Sequence, residues 1–335
     1  MYNQIIDEIK SNLSGNNESD REYLITQLDK YKDHEYAQEI TREIGRMMWD
    51  LLSDEEKDQF AKTSEEENHA MDVLMQANDY LNNNDLRAAL NLLDDFIKDF
   101  PLRYQDDKVN EYHSFENPLE EALFDKYIKC EKELRYIPDN QPLFDLFYMY
   151  GSLLLEFSRF EDAENALSYA LKLNPVSTRA IYEISEIYKT RGDLDKFYDN
   201  TISALSYSYS SSDLARGYRN LGYYFIEKED FELATALFNF SLSYDYNPMA
   251  FSEIEYIRSK GFDESVSDDR ALELLEKNNI QTGPNPEIMN LLTNFVVNFE
   301  FMGYLNSAIF FYRIAYDLTG DEAIMDKIKS LQESI

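Results

Sequence analysis

The sequence predicts an all-α protein in which stacked pairs of helices follow an N-terminal helical cap. Apolar residues recur at offsets of three, four and seven, which is the period of an amphipathic helix, and no segment alternates by two. A set of small residues returns about every 34 residues, which is typical of helical repeats. The 10 Gly and 8 Pro are too few to turn the corners of a large β protein, and the 14% aromatic content excludes a disordered acidic chain.

The charge of the chain limits its partners. Lys and Arg number 32 against 65 Asp and Glu, for a net charge of −33 that is spread over both halves. Affinity for phosphate backbones and for anionic lipid comes largely from Lys and Arg. We therefore expect no nucleic-acid partner and no membrane partner, and a protein or peptide partner instead.

Residues 1–63 lie before the repeats and are also predicted to be helical. Ser19 to Glu22 and Ser53 to Glu56 have the form of capping boxes, in which each side chain satisfies a free backbone N–H of a first turn. An open-ended stack of repeats needs a polar cap at each end, so this segment is predicted to be the N-terminal one. Its apolar helical face is formed by Tyr36, Ile40, Ile44, Met47 and Leu51.

The repeat is clearest after residue 144. Gly151 and Ala163, twelve residues apart, are predicted to lie where two antiparallel helices approach closely, because a branched side chain there would hold the axes apart. The frame consists of Phe147, Tyr150, Gly151, Leu154, Ala163, Leu167, Ala170 and Pro175. It recurs around Val73, Tyr218 and Leu292, and more weakly around Ile181. Units are predicted to start near residues 70, 104, 144, 178, 215, 249 and 289, those at 104 and 249 being degenerate.

This pattern resembles the tetratricopeptide repeat (TPR), although no unit has the Trp of that pattern. The resemblance implies a right-handed α-α superhelix whose concave groove holds extended peptides or helices. The predicted domains are then residues 1–63 as the N-terminal helical cap, 64–322 as about seven TPR-like units, and 323–335 as a C-terminal capping helix.

In the groove that the resemblance implies, a basic and aromatic island is predicted. Arg216 and Arg219 are three apart on one helix face, where like charges repel, and Arg219 has no acid three or four residues away. Arg and Tyr are enriched at binding hot spots, so an acidic or C-terminal peptide segment is one expected partner. The alternative is that the arginines form salt bridges to a neighbouring repeat. The candidate partner-binding residues are Tyr148, Arg179, Tyr182, Arg216, Arg219, Asn220 and Tyr223.

No catalytic, cofactor or metal-binding motif is recognisable from spacing. His69 lies beside the run Glu65 to Glu67, but acidic residues in a helix's first turn are explained by the macrodipole. Cys130 is the only cysteine, so no intrachain disulfide can form and a reducing, cytoplasmic location is expected. Residues 127–132 are predicted to be helical, with Cys130 as a packing residue. The first residues are acidic, which a signal peptide would not be.

These observations favour a protein-interaction scaffold that binds a partner in the groove. The alternative is a regulatory sensor, in which a peptide bound by the repeats changes how the N-terminal bundle engages a target. An enzyme ranks last, because no nucleophile–base pair and no metal set is visible.

Overall fold

The computed structural model describes residues 2–57, 65–99, 104–263 and 265–334, and it confirms the all-α, TPR-like prediction. Two compact units are formed, Met1–Ser114 with Cys130–Leu146 and Phe115–Lys129 with Phe147–Ile335. The first unit contains α1 (Tyr2–Ser11), α2 (Asn17–Tyr31), α3 (Ala37–Asp50), α4 (Glu65–Asn82), α5 (Leu86–Asp99), β1 (Asn110–His113) and β2 (Glu133–Tyr136). The predicted domain boundary after residue 63 lies outside the described residues.

The remaining helices follow in chain order. They are α6 (Pro118–Tyr127), α7 (Leu143–Glu156), α8 (Phe160–Leu173), α9 (Thr178–Arg191), α10 (Leu194–Tyr207), α11 (Ser211–Glu227), α12 (Phe231–Leu242), α13 (Pro248–Ser259), α14 (Asp268–Lys277), α15 (Pro286–Phe301), α16 (Leu305–Thr319) and α17 (Glu322–Gln332). Neighbouring helices pack in sequence from α8 to α13.

The helical face predicted near the N-terminus is buried. Ile40, Ile44 and Met47 of α3 pack with apolar residues of α1 and of α2 in one core. The capping box at Ser53 is confirmed, because the Ser53 N–H donates to Glu56 Oε2 at 2.8 Å and the Glu56 N–H donates to Ser53 Oγ at 3.2 Å.

The capping box at Ser19 is wrong. Helix α2 begins three residues earlier, with Asn16 as its N-cap, and the Asn16 side chain accepts the Ser19 N–H at 3.1 Å. The side chain of Asp20 instead turns back and accepts the backbone N–H groups of Ser14 and Gly15, at 2.7 and 2.9 Å. An Asn at the N-cap position competes for the same N–H that the predicted box needed.

A two-stranded parallel sheet interrupts the helices, and no sequence pattern predicted it. Asn110 of β1 pairs with Glu133 of β2, and the register continues to His113 and Tyr136. The predicted helix over residues 127–132 is also wrong, since α6 ends at Tyr127 and Cys130 lies in the turn before β2. Strands of four residues are too short to show a period of two, and a parallel partner is never adjacent in sequence.

The small residues of the repeat lie at close helix contacts, as predicted. Ala163, on α8, is fully buried. A Cβ added at Gly151, on α7, would lie 2.6 Å from Leu167 Cγ and 3.3 Å from the Leu167 backbone N. The backbone of α8 cannot move away without breaking its own packing, so this position admits no side chain.

The substitution Gly151→Leu is therefore expected to lower the free energy of unfolding by about 1–3 kcal/mol through overpacking. Urea denaturation followed by circular dichroism measures the effect. The matched control is Gly45→Leu in α3, where a Cβ meets no atom within 4 Å. That control is expected to be neutral or to gain under about 1 kcal/mol in helix propensity. Equal losses at the two sites would contradict the close approach of α7 and α8.

The C-terminal part of the second unit doubles back. Helices α13 and α14 both pack against α12, and the loop after α14 then runs along the end of α10. Asn285 anchors this loop by donating to the Ser206 carbonyl at 2.7 Å and to Tyr127 Oη at 3.1 Å. Helix α15 consequently packs against α6, and α16 and α17 follow it. Within the described residues, no helix is long and apolar enough to cross a membrane.

Candidate functional site

The predicted partner-binding residues lie on α7, α9 and α11, which are the first helices of three successive predicted repeats. The Arg179 guanidinium lies over the Tyr148 ring, 4.7 Å from its centroid, which joins α9 to α7. Two further stacks join α9 to α11, with Arg216 5.1 Å from the Tyr182 centroid and Lys189 4.6 Å from the Tyr223 centroid. Such cation–π contacts hold the long basic side chains in place. We call the set Tyr148, Arg179, Lys189, Arg216, Arg219, Asn220 and Tyr223 the arginine–tyrosine face.

Arg219 has no acid three or four residues away along its helix, but the fold brings one close in space. Its Nη1 lies 3.4 Å from an Asp245 oxygen in the loop after α12, 26 residues further along the chain. Arg216 likewise pairs with Glu183 of the neighbouring repeat at 3.0 Å. Inspection along one helix could not find either partner. The ion pairs are those that the structural alternative expects.

The face is consequently balanced in charge, not basic. Each of its four cations has a carboxylate within salt-bridge distance, so the island contributes no net positive charge of its own. The pairs are Arg179 with Glu116, Lys189 with Glu186, Arg216 with Glu183, and Arg219 with Asp245.

Tyr182 does not belong to the accessible set. Its side chain is fully buried and its hydroxyl donates to the Asp213 carbonyl at 2.9 Å. Tyr182 therefore cannot touch a partner, and it acts instead as the ring on which Arg216 rests. Tyr148 and Tyr223 are both partly exposed. Lys189, which the predicted set omits, also belongs to this face, because its ammonium forms a cation–π contact with Tyr223.

Two adjacent residues of α11, Arg219 and Asn220, have buried polar groups whose charge or hydrogen bonding is only partly compensated. Burial lowers the pKa of the Arg219 guanidinium, and the nearby Arg216 charge lowers this pKa further, against the opposing effect of Asp245. The Arg219 side chain is 17% exposed to solvent, and the Asp245 side chain is 39% exposed. Asn220 is 94% buried (6% exposed), and in the described structure its Nδ2 has no hydrogen-bond acceptor. A buried unpaired amide is costly, and, like Tyr182, this amide is closed to a partner in the described conformation.

A separate cluster of side chains, none of them among the sequence-predicted site residues, lies in the first unit. Glu111 and His113 are two apart on β1, hence on one face of the strand, and Cys130 approaches them from the turn before β2. The two-residue spacing of Glu111 and His113 indicates a shared strand face once β1 is known. No sequence pattern indicates that Cys130 lies beside them, because that depends on the parallel pairing of β1 with β2.

Helix pairs joined by short turns, with small residues at their contacts, define an α-helical repeat protein. A family model described as tetratricopeptide repeat matches residues 74–105 and 148–197, so the chain contains tetratricopeptide repeats in these two segments. Repeats of this class are in general protein-interaction scaffolds.

Several solved structures are similar to this chain. One solved structure that it resembles is the crystal structure of the APC/C hetero-tetramer Cut9-Hcn1, at 13% sequence identity and a TM-score of 0.33. The match covers 94% of this chain, which spans 60% of the length of that one. No curated protein matches the chain.

Proposed function

We propose that this protein is a non-enzymatic, cytoplasmic interaction scaffold that binds an acidic or C-terminal peptide segment on the arginine–tyrosine face. The observation that carries the proposal is the ion pair between Arg219 of α11 and Asp245. Arg219 is largely buried, whereas its counter-ion is the more exposed member of the pair and makes a contact of 3.4 Å. A peptide end offers a second carboxylate that can compete with Asp245 for this guanidinium.

Binding then proceeds as an exchange of carboxylates. The partner's carboxylate replaces Asp245, which is the more exposed member of its ion pair and lies in a loop. A guanidinium can meet a carboxylate with two parallel charge-assisted hydrogen bonds, which the contact at 3.4 Å does not achieve. Tyr148 and Tyr223, both partly exposed, supply apolar walls.

The exchange also explains how an acidic peptide is tolerated by an acidic protein. Once Asp245 is displaced, the ligand carboxylate meets the Arg219 charge that Asp245 had balanced, and charges further away than about 8 Å are screened at physiological salt. The total charge of −33 acts mainly on the rate of approach. We therefore expect slow association that becomes faster as salt is added.

The double variant Arg216→Ala, Arg219→Ala tests the site. The probe is a library of fluorescent peptides with free C-terminal carboxylates, each paired with its amidated twin. We expect wild type to select carboxylate peptides over their twins. The double variant is expected to weaken the best binder by about 2 kcal/mol, roughly 30-fold in Kd, while keeping its helical signal.

Two further variants make this test selective. Asp245→Asn removes the competing internal carboxylate at nearly constant shape, so the same peptides should bind more tightly. Arg258→Ala removes an exposed cation of α13 that lies outside the face and should leave binding unchanged. If the double variant binds as wild type does but melts at a lower temperature, the arginines serve only to join repeats and the proposal is refuted.

A further inference from the structure

Three donor atoms of different chemistry meet at the edge of the small sheet. The potential ligand atoms of Glu111, His113 and Cys130 all lie within 4.8 Å of one another. His113 Nε2 is 3.0 Å from Glu111 Oε1, and Cys130 Sγ is 3.3 Å from Glu111 Oε2. Donor atoms at the corners of a tetrahedral zinc site, with bonds of about 2.0–2.3 Å, are themselves about 3.4 Å apart.

The backbone holds these donors in place. The pairing of β1 with β2 is closed by a backbone hydrogen bond at each end. The Glu133 N–H donates to the Val109 carbonyl at 2.7 Å, and the Ile137 N–H donates to the His113 carbonyl at 2.9 Å. The His113 side chain is only 1% exposed, so its ring has little freedom to turn away. Cys130 Sγ is fixed further by the Lys132 carbonyl, 3.1 Å away. A preorganised site of this kind loses little entropy when it binds an ion.

We propose that Glu111, His113 and Cys130 bind a divalent cation of the zinc class, with the fourth coordination position open to water or to a partner. Imidazole nitrogen and thiolate sulfur favour zinc over magnesium and calcium, which prefer oxygen ligands. On binding, the Cys130 thiol releases its proton to solvent and the thiolate bonds to the metal. The ion joins β1 to the turn before β2, where two strands of four residues have little stability of their own.

No metal-binding motif was recognisable from ligand spacing along the chain, because the site depends on the pairing of β1 with β2, which brings Cys130 to Glu111. The inference is independent of the proposed peptide binding, because its residues all belong to the first compact unit.

The test uses the full chain after dialysis against a chelator, titrated with zinc chloride in a calorimeter. We expect one equivalent of zinc with a Kd in the micromolar range or below. Because Cys130 is the only cysteine, reaction with a thiol reagent reports on this site alone, and zinc should protect it. Cobalt in place of zinc should give the near-ultraviolet charge-transfer band of a thiolate–cobalt bond.

Variants separate this site from the acidic surface. Cys130→Ser is expected to weaken zinc binding by more than roughly 100-fold, since loss of an outer partner of a ligand already costs 10–100-fold. His113→Gln should do the same, and Cys130→Ser carries the test if the buried His113 position proves intolerant. The control His69→Gln changes an exposed histidine that lies outside the cluster and should leave binding unchanged.

Repeating the zinc titration in an excess of calcium separates the proposed site from weak binding to surface carboxylates. A chain with 65 acidic residues attracts any divalent cation weakly, and such binding would be displaced by calcium and unaffected by Cys130→Ser. That result, or zinc bound at well under one equivalent, overturns the proposal. Retained one-to-one zinc binding in excess calcium, lost in Cys130→Ser, supports it.

Discussion

Replacement of Glu120 by Leu is expected to lower the free energy of unfolding by about 3–5 kcal/mol, because it leaves several buried donors without an acceptor. Glu120, on α6, is 2% exposed. Its carboxylate accepts hydrogen bonds from Asn174 Nδ2 at 2.7 Å, from the Glu116 N–H at 2.7 Å and from Tyr209 Oη at 3.1 Å. These bonds tie α6 to the ends of α8 and α10. Chemical denaturation measures the loss.

The matched variant Glu120→Gln separates hydrogen bonding from charge. Burial raises the pKa of the Glu120 carboxyl, although its hydrogen bonds and the nearby Arg179 act to lower it. A raised pKa means that the folded state prefers the protonated acid. The carboxyl's contribution to stability is therefore greatest below its unfolded pKa and declines as the pH rises towards its folded pKa.

A glutamine can donate to Tyr209 Oη and still accept from Asn174, and it carries no charge. Relative to wild type, the Gln variant should gain stability as the pH rises from the ordinary pKa of a glutamate carboxyl, about 4.3, towards the raised pKa of Glu120. The opposite trend, or a loss in the Gln variant as large as that in the Leu variant, would contradict the buried polar cluster.

Replacement of Tyr218 by Ala is expected to lower the free energy of unfolding by about 3–5 kcal/mol, which is the usual cost of removing a large buried aromatic side chain. Tyr218, on α11, is fully buried, and its ring centroid lies 5.1 Å from that of Phe240. Its hydroxyl donates to the Gln281 carbonyl at 2.9 Å and accepts the Gly283 N–H at 2.8 Å. The Tyr218 ring therefore packs in the core between α11 and α12, and its hydroxyl holds the loop after α14 by two hydrogen bonds.

The variant Tyr218→Phe isolates the second role. It keeps the ring but leaves the buried Gly283 N–H without an acceptor, at a cost of about 1–3 kcal/mol. Hydrogen exchange should then be faster at the Gly283 amide than in wild type. As a control, Tyr246→Ala changes a tyrosine that is 77% exposed and should cost under about 0.5 kcal/mol. Unchanged exchange at Gly283 in the Phe variant would show that the hydroxyl does not hold the loop.

The sequence could predict whatever depends on residues close together along the chain. The helices and the repeat were predictable, because three- and four-residue periodicity is a property of one helix, and the position of Gly151 followed from comparing units. The capping box at Ser53 was predictable for the same reason, since both members lie within one turn. The competing cap at Asn16 shows the limit of that reasoning even at short range.

The tertiary structure decided which distant residues meet. The sequence placed Arg216 and Arg219 on one face of a helix, but their acidic partners come from a neighbouring helix and from a loop 26 residues away. Cys130 reaches Glu111 only because two short strands pair in parallel. Periodicity records which face of a helix or strand is apolar, and it does not record which other element covers that face. The helical repeat was therefore determined locally, while the ion pairs of the candidate binding face and the metal ligand cluster were determined by packing.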